Sequence, residues 1–179
     1  MKFVKSSLLI IVAGLFMVSC AHYSVPKQVP EVPMDSVGGY DQKYSVDLIN
    51  DQPDTSDHLY WAMGIHRYYA NYNVWTKFFI DYYKNELEKR GVEVSENSPN
   101  KMKVRLSDFA LMTGFAVVRA NIKVKLESED RSWVKEWVES DSSGWSGGRA
   151  MGSTLYRAVE RLLADPEVMD RMKVRVASN

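Results

Sequence analysis

The chain has 179 residues, with 23 lysines and arginines balanced by 23 aspartates and glutamates, and a single cysteine. That length supplies one ordinary domain with a workable core. Zero net charge excludes the basic footprint of a nucleic-acid binder, and one cysteine excludes an internal disulfide framework.

The first predicted element is a leader. Lys2 and Lys5 precede the uncharged run Leu8 to Val18, LLIIVAGLFMV. Its length suits a signal-peptide core of about 7–15 residues and falls short of the about 20 needed to cross a bilayer. Met17-Val-Ser-Cys20 is similar to the bacterial lipobox, with Met17 where that motif prefers Leu. The resemblance implies cleavage after residue 19 and acylation of Cys20. An odd thiol in an oxidising compartment is a hazard that acylation removes. At about 0.8 kcal/mol per buried methylene, more than one acyl chain makes a stable anchor. Ala21, by resemblance to Gram-negative sorting, implies the periplasmic face of the outer membrane. Residues 20–42, with Pro26, Pro30, Pro33 and Gly38-Gly39, read as an extended tether.

From residue 43 to 179 the pattern is that of one domain. Lys43 to Ile49 alternates as a half-buried strand, with Tyr44, Val46 and Leu48 on one face. In Leu59 to Tyr69 the alternation of Trp61, Met63 and Ile65 favours a second strand over the start of a helix. Asn73 to Arg90 is the clearest helix: Trp75, Phe78, Phe79, Tyr82, Tyr83 and Leu87 recur at three- and four-residue steps, with Asn73 as cap and Gly91 beyond the last turn. Val92 to Val94 resumes a short strand, and Ser95 to Asn100 turns. Met102 to Leu106 and Gly114 to Ser128 alternate as strands, the second with one wet face. Trp133 to Ser140 returns as its hairpin partner. Helices are expected over Arg149 to Ala164 and, after the Asp165-Pro166 start signal, over Pro166 to Met172. The order implies an α+β two-layer sandwich, a mostly antiparallel sheet with two main helices on one face.

The lipobox, "LEKRGVEV" at the helix end, the strands "KVRLSDF" and "GFAVVRANIKVKLES", and the closing "GRAMGSTLYRAVERLLADPEV" resemble small Gram-negative lipoproteins of the YajG type. More loosely they resemble LptE-like and ABC-transport auxiliary lipoproteins. The resemblance spans about Tyr44 to Val168 and rests on element order. It implies a non-enzymatic outer-membrane lipoprotein that acts through contacts with lipids or an envelope protein partner, and it carries over no site residue except Cys20.

Catalytic and metal chemistry are weakly supported. His58 and His66 have neither the helical i,i+4 spacing nor a cysteine to complete a zinc set, and His22 lies in the expected tether. Gly144-Trp-Ser146-Gly-Gly148 matches a nucleophile elbow literally, but no histidine follows residue 66 to serve as its base. The expectation is therefore no catalytic residue, no metal and no cofactor, with a small hydrolase using Ser146 as the remote reading. The loop's free amides ahead of the second helix, with Arg149, could instead cradle an anion. Tyr60, Trp61, Tyr68, Tyr69, Tyr72 and Trp75 crowd one stretch, and aromatics with polar handles suit grooves and interfaces. Tyr68, Tyr69, Tyr72, Trp145 and Arg149 are thus the candidate ligand or partner surface. Two functions follow: a structural or accessory factor in envelope assembly or transport, or a periplasmic receptor for a lipid or glycan. The row Arg119, Asn121, Lys123 and Lys125 reads mainly as a solvated sheet face.

Overall fold

A computed structural model describes residues 19–174; the expected leader lies outside them, Ser19 apart. The elements in chain order are β1 (Cys20–Ser24), β2 (Ser45–Asn50), β3 (Asp57–Met63), β4 (His66–Asn71), α1 (Tyr72–Lys89), β5 (Glu93–Val94), β6 (Lys101–Thr113), β7 (Val118–Ser128), β8 (Val134–Ser143), α2 (Gly147–Ala164) and α3 (Pro166–Met172). The chain is α+β, with a five-stranded sheet ordered β5-β2-β6-β7-β8 and a separate three-stranded sheet ordered β1-β4-β3.

The larger sheet and the helices follow from the alternation and helical spacing of the sequence. Val104, Leu106, Ile122, Val124 and Leu126 sit on one face and are fully buried, and α1 and α2 cover that face. Two hydroxyls tie the layers: Thr76 Oγ1 accepts from the Leu106 N–H at 3.1 Å, and Thr154 Oγ1 reaches the Ala120 carbonyl at 3.5 Å. The long ladders β6–β7 and β7–β8 are antiparallel, whereas β2 runs parallel to both β5 and β6. The sheet is therefore mixed. The cap of α1 is Asn71, whose side chain accepts from the Val74 N–H at 3.1 Å, and not Asn73; Gly91 does take a left-handed conformation, φ 86°.

Two strand assignments are corrected. Leu59 to Tyr69 is two strands and not one, because Gly64 adopts φ 58° and Met63 pairs directly with His66. A glycine at the head of a two-residue loop matches the twist of a hairpin, and the apolar alternation runs on through both arms. Gly114 to Val117 is likewise a turn, closed by the Gly114 N–H donating to the Val117 carbonyl at 2.8 Å, while β6 and β8 run further than expected, to Thr113 and Ser143.

The segment expected to stand clear as a tether, 20–42, is laid against the domain. Its first five residues form β1, parallel to β4 from Cys20–His66 to Ser24–Ala70. Val29 and Val32 are buried in the core. The prolines leave carbonyls in need of donors, and α1 and its C-cap residue supply them: Arg90, the cap, donates to the Val32 carbonyl at 2.8 Å and the Val37 carbonyl at 3.1 Å, Tyr82 to the Pro30 carbonyl at 2.9 Å, and Trp75 to the Ser24 carbonyl at 3.2 Å. Buried polar groups that find partners cost little to keep. The Arg90 guanidinium also pairs with Glu86 at 2.7 Å, both side chains shielded from solvent.

Candidate functional site: an aromatic-walled groove

The small sheet, the N-terminal segment and the start of α2 enclose a groove of about 1030 Å³, at the upper end of the about 300–1000 Å³ typical of ligand pockets. Register builds its aromatic wall. His22 is opposite Tyr68, and Tyr68 opposite Trp61, so one row crosses all three strands. His22 stacks on Tyr68 at 4.7 Å between ring centroids, and Trp61 leans on Tyr68 at the same separation. A register shift between Leu59 and Trp61 marks Tyr60 as a bulge residue, and bulges re-aim side chains; Tyr60 and Trp61 both line the groove. The Tyr60 hydroxyl meets Ser24 Oγ, and burial pushes its pKa up.

Leu111, Met151 and Leu155 form the apolar floor, and Lys27, Glu31 and Arg149 stand on the rim. The close approach of α2 to this wall depends on Gly147, where a Cβ would lie 2.7 Å from Leu111 Cδ1 and 3.4 Å from Trp61 Cζ3. Gly148 and Gly152 face open space, so absent side chains on α2 make room between helix and strap. His22 Nε2 and His66 Nδ1 are 2.9 Å apart, a hydrogen bond that requires one ring to be an acceptor.

The five candidate surface residues separate. Tyr68 and Arg149 line the groove. Tyr69 points to the opposite face of the small sheet and stacks on Tyr23 at 5.6 Å. Tyr72 opens α1, its ring stacked on His58 at 4.2 Å and leaning on Phe109 at 4.8 Å; burial raises its pKa. Trp145 is 73% exposed at φ 52°, on the loop before α2. Cys20 begins β1, its N–H donating to the Ile65 carbonyl at 3.1 Å.

Ser146 is a helix cap: its hydroxyl accepts from the Arg149 N–H at 3.3 Å, and His22, which shares the groove, bonds to His66 instead. Among the described residues no group of three or more His, Cys, Asp or Glu is placed to hold a metal, and no helix is long and apolar enough to cross a membrane.

No family model matches this chain. No curated protein matches it either. A crystal structure of an uncharacterized protein is similar over 83% of this chain and 96% of that one, at 9% identity and a TM-score of 0.35.

The residues that sequence reasoning left out of the site are His22, Tyr60, Trp61 and the floor residues Leu111, Met151 and Leu155. The aromatic crowding from Tyr60 to Trp75 pointed to the wall. The contribution of His22 depends on the five-residue stretch CAHYS pairing as β1 with β4, a parallel partner distant in sequence.

Proposed function

We propose that the protein is a non-enzymatic, lipid-anchored accessory factor on the periplasmic face of the outer membrane, and that it works by holding an amphiphilic lipid or glycan fragment in the groove. The observation that carries this reading is the combination of an aromatic wall and apolar floor with a charged rim. Aromatic rings offer flat apolar area to acyl chains or sugar faces, and Arg149 and Lys27 at the rim suit a negatively charged head. Acylated Cys20, beginning the strand that forms one wall, would keep this groove beside the membrane from which such a ligand comes.

Native mass spectrometry of the protein taken from an envelope extract tests the reading. Wild type should carry a small-molecule adduct that Gly152→Phe, which fills the groove from a position with open space around its Cβ, abolishes while acylation of Cys20 stays intact. A wild type without adduct, or an adduct indifferent to Gly152→Phe, overturns the groove as the binding site.

A further inference from the structure

Large apolar side chains are exposed at three turns, and all three turns lie at one end of the molecule. The β3–β4 turn carries Met63 and Ile65, the β6–β7 turn Phe115 and Val117, and the β8–α2 loop Trp145; Phe115 is 97% exposed. Their common location follows from topology. Val118 pairs with Ser143, so the second and third turns are neighbours. The Tyr72 ring lies on Phe109 at 4.8 Å and Trp61 Nε1 donates to Thr113 Oγ1 at 3.2 Å, so β3 runs along β6 in the same direction and the first turn emerges beside the second. Cys20 is at this end as well, its N–H and the Ser19 hydroxyl both donating to the Ile65 carbonyl at 3.1 Å.

Charge at this end is one-sided. No acidic residue occurs in 58–80, 109–126 or 142–159, whereas these stretches hold Arg67, Arg119 and Arg149 close behind the apolar tips. None of the three forms a salt bridge with another described residue; Arg67 donates only to the Gly64 and His66 carbonyls. The neighbouring carboxylate, Asp141, is taken up by Ser153 and Arg157. Apolar tips backed by arginines suit one environment in particular, the interface of an anionic bilayer, where rings sit at headgroup depth and guanidinium groups meet phosphate.

We infer that this end is a membrane-docking face: Ile65, Phe115 and Trp145 enter the interface, and Arg67, Arg119 and Arg149 bind anionic lipid headgroups. The occupant is a bilayer and not a protein because Cys20, the residue expected to carry the acyl chains, begins the domain at this end, its N–H on the Ile65 carbonyl. The inference rests on the lipid-anchor reading for its orientation. It adds a fixed pose, in which the three turns face the membrane and the groove opening beside β1 stays close to it.

The test uses the full protein purified from envelopes, its Cys20 state read by intact mass, reconstituted in vesicles of phosphatidylethanolamine and phosphatidylglycerol whose acyl chains are brominated. Flotation reads the anchor, and bromine quenching of tryptophan reads the pose, so the two can fail separately. Wild type should be quenched, and Trp145→Phe should remove most of the quenched signal. Arg119→Gln with Arg149→Gln should reduce the quenching in phosphatidylglycerol vesicles. Near-ultraviolet circular dichroism identifies variants that retain the fold. Should the chain carry no acyl groups, the same vesicles are titrated in, and Phe115→Ser should weaken partitioning by about tenfold, the effect of losing one buried aromatic side chain. Trp145 fluorescence unaffected by bromine in floating protein overturns the docking face. Self-association that buries Trp145 in the absence of vesicles does so too, in favour of a second copy.

Discussion

Arg90 shows how one side chain can organise a stretch that composition leaves open. Its guanidinium, shielded from solvent, holds Glu86 at 2.7 Å and the carbonyls of Val32 and Val37. Removing one partner of a buried pair strands the other, at a cost of about 3–5 kcal/mol. Arg90→Met should therefore destabilise the fold by about 3 kcal/mol in urea unfolding and expose residues 29–37 to protease before the domain itself unfolds. A second residue argues the pH behaviour. The Asp130 carboxylate accepts from the hydroxyls of Ser128 and Ser132 and the Ser132 N–H, which lowers its pKa from 3.8 to about 2. A depressed acid stabilises above its unfolded value and ceases to do so as pH falls through the folded one. The stability gap between wild type and Asp130→Asn should therefore be complete above about pH 4 and vanish as the pH falls through about 2, measurable by denaturation at stepped pH. The turn at Asp130 was legible as the link between the hairpin arms Gly114–Ser128 and Trp133–Ser140, whereas Arg90 read only as the last residue of a helix, because its partners lie far away in sequence.

At the scale of elements, α2 carries a tension between folding and the groove. Glycine inside a helix costs about 1 kcal/mol relative to alanine, and Gly152 has nothing within 4 Å of where its Cβ would be. Gly152→Ala should raise stability by about 0.5–1 kcal/mol in chemical denaturation with little loss of groove volume. Gly147→Ala has no such freedom, since Leu111 Cδ1 stands 2.7 Å from that position. The helices, β2 and β7 were readable because each buries one periodic face, and β8 as the return arm of the hairpin with β7, its inward face only half-buried. The hairpin β3–β4 hid its turn inside continuous alternation, with a single glycine as punctuation. The parallel pairings of β1 and β2 left no local trace, since parallel partners are distant in sequence. Val29 and Val32 sit among prolines without a helical or strand period, so their burial could not be read from spacing.

Across the whole molecule, the groove exists only because three pieces that read separately in sequence meet: an N-terminal strap, a three-stranded sheet and the glycine-rich start of α2. Of the five candidate surface residues Tyr68 and Arg149 line the groove, whereas Tyr69, Tyr72 and Trp145 diverge because strand alternation and the helix start send them to other faces. The two layers of the larger sheet were foreseeable from one wet and one dry face along β7. The second sheet was not, because it required residues 20–24 to be a strand.

The parallel pairing of β1 with β4 has a mechanical corollary. Cys20 begins its strand, so a pull on that residue along the strand axis would load the backbone bonds from Cys20–His66 to Ser24–Ala70 together in shear. Peeled from the other end they would yield one at a time. A domain held through Cys20 would therefore resist tugging along that strand.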